Sequence, residues 1–486
     1  MISYADFRKM MAAFKVPRLN GTGNALVVGN AQMPVGSHVS AVLLGDSLSA
    51  RNRAAGGIIN AQTAIGQWNW ANWLIGAPFV FTHNLGVSGD RSQSIFSRIS
   101  AIKPNTQLVI VMAGTNDVLS MSSSASQGTI DSTFTAVAGY ITSGVAALVA
   151  SGRQVIIGNI PPNNAYSSAG DSRIQLLDRL NVVINALASG KVKVVDVFGT
   201  IWDSAQPTLR VCKASTMHSD GTHFAATGSY LIGKAAGPAF KAAYASCIPD
   251  VDIYDDFNLC RQLYSAFRSG TGGEAAVKTA GTGNLADGWR SINNAGTATF
   301  TLENANAYAV SSNYVGPIAT IPSDIDPHWQ EFNITAAVNN DIVRLMMPAN
   351  NTISNSSSFP DSSLGGDLFF AEIDVEVVNP VNLVELRESV IGYFTVGTSP
   401  ADQAYIGTTY VSAVAGSSDD FSSVVYPYPE GFRAVLRTPV LRFPENINTT
   451  VAHTMAFFVD MKFGGAGSAL IRLGRPRIWH KSAGYL

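Results

Sequence analysis

The sequence predicts a three-layer α/β/α domain followed by an all-β sandwich. Two observations carry this. Between positions 37 and 245, five short apolar runs rich in β-branched residues alternate with stretches of helical period. Beyond about residue 247 the helical period disappears and apolar residues recur at every second position. Strands buried on both faces of a parallel sheet read as unbroken apolar runs, whereas half-buried antiparallel strands alternate. A chain of 486 residues also has room for two to four domains at roughly 100–200 residues each.

The five runs are SAVLLGD (40–46), FVFTHN (79–84), LVIVMAG (108–114), QVIIGNI (154–160) and VKVVDVF (192–198). Helical spacing follows the third and the fourth. Phe134, Val137, Ile141, Val145 and Leu148 recur at steps of three and four, as do Ile174, Leu177, Leu180 and Ile184. Ser151-Gly152 and Ser189-Gly190 stop these two helices where the next strand must start. Strands joined in this way make a parallel sheet with right-handed crossovers and helices on both faces. In the second half, FAEIDVEVV places Ile373, Val375 and Val377 against Glu372, Asp374 and Glu376. TMAFFVDMKF aligns Met455, Phe457, Val459, Met461 and Phe463, and SALIRLGRPRI aligns Ala469, Ile471 and Leu473. Period two with many turns argues an antiparallel sandwich. The boundaries read as a lead-in over 1–36, an α/β domain over 37–247 and a β-sandwich over 248–486.

Composition narrows the function. The net charge of -2 gives no field that would draw nucleic acid or an anionic membrane. No run of 18 uninterrupted apolar residues occurs, so no membrane insertion is expected. The opening MISYADFRKMMAAFKVPR is broken by Asp6, Arg8, Lys9 and Lys15 and reads as no ordinary secretion signal. The expected location is therefore the cytoplasm, or outside the cell by another route such as assembly into a virion. Cys212, Cys247 and Cys260 form no CxxC pair and read most economically as three unpaired thiols.

Four stretches carry chemistry. GDSL holds Ser47 at the end of the first apolar run, NLGVSGDRS holds Gly89 after the second, and MAGTNDV holds Asn116 after the third. SDGTHF, beyond the fifth run and before the last helix, holds Asp220 and His223. In a parallel sheet the loops after the strands converge on one edge. A serine hydroxyl needs a base to take its proton during attack, and His223 is the candidate. The imidazole must be held in one tautomer and stabilised as a cation, which Asp220 can do from three residues away. The oxyanion of a tetrahedral intermediate needs preorganised donors. The Ser47 N–H, the Gly89 N–H and the Asn116 amide are the candidates. The competing reading makes Ser47 a turn residue, since Gly, Asp and Ser are ordinary in turns. His218 is a rival base. Asp46, Asp90 and Asp117 read as loop-fixing acids, Asp90 or Arg91 as residues that could line the cleft, and His83 as structural.

These four blocks, in this order, resemble the SGNH (GDSL) hydrolase family over roughly residues 37–245. The resemblance implies a flavodoxin-like sheet. It also implies a Ser47–His223–Asp220 triad, and an oxyanion hole from Ser47, Gly89 and Asn116. No cofactor is implied, and no residue cluster has metal-ligand spacing. NLADGW (284–289) and GSALIRLGRPRIW (467–479) resemble the first and last strands of carbohydrate-binding jelly-roll modules. There Trp289 reads as core before sugar platform. Trp329, Tyr393, Tyr405, Tyr410, Tyr426 and Tyr428 are further aromatics that could stack on a sugar. The resemblances together suggest an esterase that removes O-acetyl groups from a polysaccharide or other surface glycan. The alternatives are a virion tail or receptor-binding protein devoted to glycan binding, and a lipid esterase or thioesterase. The expected partner is an acetylated glycan, with homo-oligomer or virion assembly left open. The substrate-binding residues are not readable.

Overall fold

A computed structural model describes residues 26–28, 31–33, 36–56, 59–247, 250–252, 255–256, 277–286, 289–305, 329–347, 368–395, 402–410, 427–442 and 454–481. Most of the lead-in, Cys260 and Tyr426 lie outside the described residues. For Tyr393, Tyr405 and Tyr410 the description covers the backbone but not the side chains.

The five apolar runs are all strands. They are β1 (Gly36–Gly45), β4 (Phe79–Gly86), β5 (Leu108–Met112), β6 (Gln154–Gly158) and β7 (Val192–Val195). Two shorter strands, β2 (Arg53–Gly56) and β3 (Ile59–Thr63), follow β1 and lie outside this sheet. The pairing order is β4-β1-β5-β6-β7, and all four pairs are parallel. Counted within the sheet alone, that is the 2-1-3-4-5 order of flavodoxin-like folds. Successive side chains of β1 enter opposite cores. Val42 and Leu44 pack on the face covered by helices Gln127–Ala150 and Ser172–Ala186, and Ala41 and Leu43 pack on the face covered by Ala226–Ala245. Both faces are dry, which is why these runs show no polar alternation. Ser126 caps the first of these helices through Thr129 N, and Asp171 caps the second through Arg173 N.

The second half is rich in strands, here β8 (Arg290–Ala295), β9 (Thr299–Ala305), β10 (Trp329–Ala336), β11 (Asn339–Met347), β12 (Leu368–Thr395), β13 (Asp402–Tyr410), β14 (Phe432–Arg437) and β15 (Thr454–Lys481). β12 and β15 are 28 residues each and pair antiparallel along most of their length. The pairing shifts register between Glu372 and Asp374 and again between Val378 and Glu385. The stretches read as separate in the sequence, 455–463 and 469–473, belong to one strand here, interrupted by the glycine-rich GGAGS at 464–468. β10 and β11 pair with successive parts of β15. Trp289 is fully buried, edge-on to Phe457, in the reading that makes it a core residue.

The two halves meet in a cluster to which both contribute. The hairpin β2–β3 adds itself to the β-half, with β3 parallel to β13. Helix Gln67–Trp73 sits between the halves. Its Trp68 and Ala71 belong to the α/β core, and its Trp70 and Trp73 to the core of the β-half. Trp70 meets the edges or faces of Trp73, Tyr230, Tyr428 and Phe432 at centroid distances of 5.3–5.6 Å, and its indole N–H donates to Ala64 O at 2.7 Å. Polar ties ring this contact. Tyr230 Oη donates to Glu430 at 2.9 Å, Thr227 Oγ1 to Pro427 O at 3.3 Å, and Arg437, paired with Glu372, to Phe79 O at 3.3 Å. Buried aromatic pairs of this geometry add to simple area burial.

Trp70→Ala should therefore lower stability by about 3–5 kcal/mol. Far-UV and near-UV signals from both halves should melt together. Separate transitions, with the α/β half unmoved, would show that the halves fold independently. A chain ended at residue 247 would lay bare Trp70, Trp73 and Tyr230 and is expected to aggregate; a monodisperse fragment in size-exclusion chromatography would contradict the shared cluster.

Candidate active site

β1 runs into Asp46 and the one-turn helix Ser47–Ala50, which stands at the carboxyl edge of the sheet. Gly45 permits the approach: a Cβ there would lie 2.5 Å from Met112 O of β5. Asp46 caps the short helix, its Oδ1 accepting from Leu48 N at 2.9 Å. Asn52 then anchors it. Its amide donates to Leu48 O at 2.9 Å and accepts from Trp68 N at 2.9 Å, linking this turn to helix Gln67–Trp73.

Ser47 Oγ lies 2.8 Å from His223 Nε2, and His223 Nδ1 lies 2.6 Å from Asp220 Oδ2. The other Asp220 oxygen accepts from the backbone N–H of Thr222 and of His223, each at 2.9 Å. Burial works against ionisation of Asp220. The hydrogen bonds from the His223 ring and the two backbone amides, together with the charge of His223, outweigh it and hold the carboxyl well below the usual carboxylate range. Arg51 at the end of the short helix stands 3.8 Å from Asp220 Oδ2. His218 Nδ1 is 3.6 Å from the same oxygen, and its backbone N–H donates to His223 O. It is His223 that meets Ser47. Ser47 is buried, while His223 keeps 19% and Asp220 36% of the side chain in solvent.

The loops after β4 and β5 complete the edge. Gly89 adopts φ +82°, in the left-handed region, and nothing lies within 4 Å of where a Cβ would be. Asn116 is on the first turn of helix Thr115–Leu119, and its amide donates to Asp90 O at 3.0 Å. An asparagine amide has two hydrogens, so this bond orients the group and leaves one. Asp117 accepts from Ser92 N at 2.9 Å and from Ser92 Oγ at 2.7 Å, fastening the second loop to the third. Asp46, Asp90 and Asp117 all hold loops. His83 contacts Thr82 Oγ1 at 3.2 Å and has no part in the Ser47 chain. Sequence reasoning missed Asn52, Ser92 and Arg98. Ser92, directly after the GDR of its block, carried a local hint, but Asn52 and Arg98 acquire their roles only through folding.

Asp46 is fully buried beside Ser47. Desolvation, the dominant effect, pushes its carboxyl up to about 7 despite the Leu48 N–H that favours the anion. An acid whose folded value is raised contributes stability that is complete below its unfolded value near 3.8 and is lost as pH climbs through about 7. Asp46→Asn cannot ionise. Its stability relative to the native chain should therefore rise between pH 5 and pH 8, by about 2–3 kcal/mol. Urea unfolding at both pH values measures this, and a pH-independent difference would contradict the buried neutral carboxyl.

Residues 42–236 match the family model for GDSL-like Lipase/Acylhydrolase. No curated protein matches the chain. Among solved structures the chain is similar to a member of the lipolytic protein G-D-S-L family from Veillonella parvula DSM 2008, at 18% identity and TM-score 0.31, over 42% of this chain and 98% of that one. It is similar also to Axe2, an acetylxylan esterase from Geobacillus stearothermophilus, at 17% identity and TM-score 0.33, over 43% and 96%. A third is TesA, at 20% identity and TM-score 0.30, over 42% and 99%. With the 2-1-3-4-5 sheet and the family match over residues 42–236, the N-terminal half of this chain carries a GDSL-type acylhydrolase domain.

Proposed function

We propose that the chain is a serine esterase that removes O-acetyl groups from a glycan, with Ser47 as nucleophile, His223 as base and acid, and Asp220 as its partner. The observation that carries the reading is the unbroken chain from Ser47 Oγ to His223 Nε2 at 2.8 Å and from His223 Nδ1 to Asp220 at 2.6 Å. In this reading His223 takes the hydroxyl proton as Ser47 Oγ bonds to the ester carbonyl carbon. The electron pair moves to the carbonyl oxygen, which the N–H groups of Ser47 and Gly89 and the Asn116 amide receive. The imidazolium returns its proton to the departing alcohol, leaving an acetyl-serine. Water, deprotonated by His223, then releases acetate and restores Ser47. Asp220 stays ionised throughout, as its depressed carboxyl allows.

A small acyl group and a polar alcohol suit the rim. Ser88, Gly89 and Arg91 are exposed on one side. On the other, Asn164 is exposed, with its N–H bonded to Gly221 O at 3.1 Å. A long acyl chain laid across Ser88, Arg91 and Asn164 would desolvate them, which in this reading favours a short acyl group. Assignment of the β-half to glycan binding in a jelly-roll module belongs to the same proposal and rests on the sequence resemblance.

Acetate release from a panel of acetylated glycans, set beside p-nitrophenyl esters of rising chain length, tests the substrate. Activity should fall as the acyl chain grows; a maximum at long chains would favour a lipid esterase or thioesterase. Ser47→Ala and His223→Ala should each lower kcat by about 10⁴-fold or more, and the double variant by no more than either, because these groups act as a unit. Asp220→Asn should reduce kcat strongly with little change in KM. If His218→Ala were the inactive variant and His223→Ala active, the assignment of the base would be wrong.

A further inference from the structure

We propose that Arg98 is the positioning residue of the oxyanion site, locking the loops that supply its donors to the strand that carries Ser47. The inference rests on the esterase reading above. Arg98 follows helix Ser92–Ser97, and its guanidinium is 22% exposed. Its Nη2 donates to Gly45 O at 2.9 Å, two residues before Ser47. Its Nε donates to Leu85 O at 3.2 Å, near the end of β4. Its Nη1 pairs with the Asp90 carboxylate and donates to Ser94 O at 3.1 Å. One planar fork thus spans the ends of two adjacent strands and the loop between β4 and its helix. Only a guanidinium presents rigid donors in enough directions to do so.

Each proposed donor is within a bond or two of this fork. Ser47 N lies two residues beyond the Gly45 carbonyl. Gly89 precedes Asp90, whose side chain Arg98 holds. Asn116 donates to the backbone carbonyl of that same Asp90 at 3.0 Å. Beyond Arg98 the loop is held at its ends, by Ser92 on Asp117 and by Asp90 N on Val87 O at 3.3 Å, while Val87, Ser88 and Gly89 are exposed and no atom approaches the Gly89 Cβ position within 4 Å. Val87 N does donate to Gly45 O at 3.0 Å, the carbonyl that Arg98 also holds. An ion pair with about a fifth of each side chain in solvent adds little to global stability. Its loss should therefore be felt in the placement of donors rather than in melting. Donors aimed at a developing charge lose much of their effect when displaced by an ångström.

The full chain, as Arg98→Met, Arg98→Lys and Asp90→Asn, tests this with p-nitrophenyl acetate and with phenylboronic acid, whose adduct on a serine is a tetrahedral anion. Arg98→Met should lower kcat by about 10- to 100-fold, leave KM within about twofold, and weaken boronate binding by the factor lost from kcat. Arg98→Lys and Asp90→Asn should fall between it and the native chain. Millimolar guanidinium should restore part of the activity of Arg98→Met. If Arg98→Met does not fold, Asp90→Asn and Arg98→Lys carry the same comparison. A lowered melting point with kcat and boronate affinity unchanged would assign Arg98 a structural role and overturn the inference. A native chain that neither hydrolyses the ester nor binds boronate would overturn the esterase reading itself, so the two failures are distinct.

Discussion

β1 is buried on both faces and hydrogen-bonded on both edges, and this constraint organises the hydrolase half. Val42 and Leu44 need one covering layer, and Ala41 and Leu43 need another. Parallel neighbours cannot be joined by tight turns, so each connection must cross over through a helix. Those helices supply the two layers. The same parallel arrangement sends the end of β1, β4 and β5 to one edge, and there Ser47, the Gly89 loop and Asn116 arrive from segments that are far apart in sequence. His223 reaches this edge from 176 residues beyond Ser47, just ahead of helix Ala226–Ala245.

That last helix connects the edge to the rest of the molecule. Its first turn carries Thr227 and Tyr230, which bond Pro427 O and Glu430 of the β-half. Helix Gln67–Trp73 is bonded through Asn52 to the turn that carries Ser47, and through Trp70 to Tyr428 and Phe432. The segment from Pro427 to Phe432 therefore braces both supports of the Ser47–His223 pair. The β-half is more than an appendage joined by a linker, because the faces that it covers are the apolar backs of these two helices.

Much of this was legible in the sequence for a local reason. A strand buried on both faces must be apolar throughout, and the five runs declare that within a few residues each. The GDSL, GxSGD, GTND and DGTH blocks are legible because tight turns at strand ends admit few residue types. The joint was not legible. In QWNWANW the tryptophans are too dense to show a single face, because the helix has two: Trp68 turns to one core, and Trp70 and Trp73 to the other. The hairpin β2–β3 pairs with a strand some 350 residues away, and no local pattern encodes such a partner. The 28-residue strands were read in pieces since their alternation is interrupted: in β15 by GGAGS at 464–468, and in β12 by a change of the buried parity between Leu383 and Leu386. Arg98 could not be found by spacing, because its acceptors are main-chain carbonyls, which any residue supplies.

Two carboxyl groups flank the serine turn in opposite states, and their surroundings account for both. Asp46 is sealed from solvent, so desolvation prevails over the Leu48 N–H that favours its anion, and the group stays neutral until pH about 7. Asp220 is part-exposed and receives the His223 ring N–H and two backbone amides, so its anion is held at all ordinary pH. Pairs of acids driven apart in this way can divide their tasks. Under the esterase reading, Asp220 is the acid that stabilises an imidazolium, since of the two it is the one bonded to the His223 ring. Below pH about 7 the buried Asp46, next in the chain to Ser47, adds no second negative charge near the oxyanion proposed to form there. An ionised Asp46 would oppose that charge through a low-dielectric interior, where repulsion is least screened. The burial that makes Asp46 costly to ionise thus removes, below pH about 7, a repulsion that attack by Ser47 would otherwise meet.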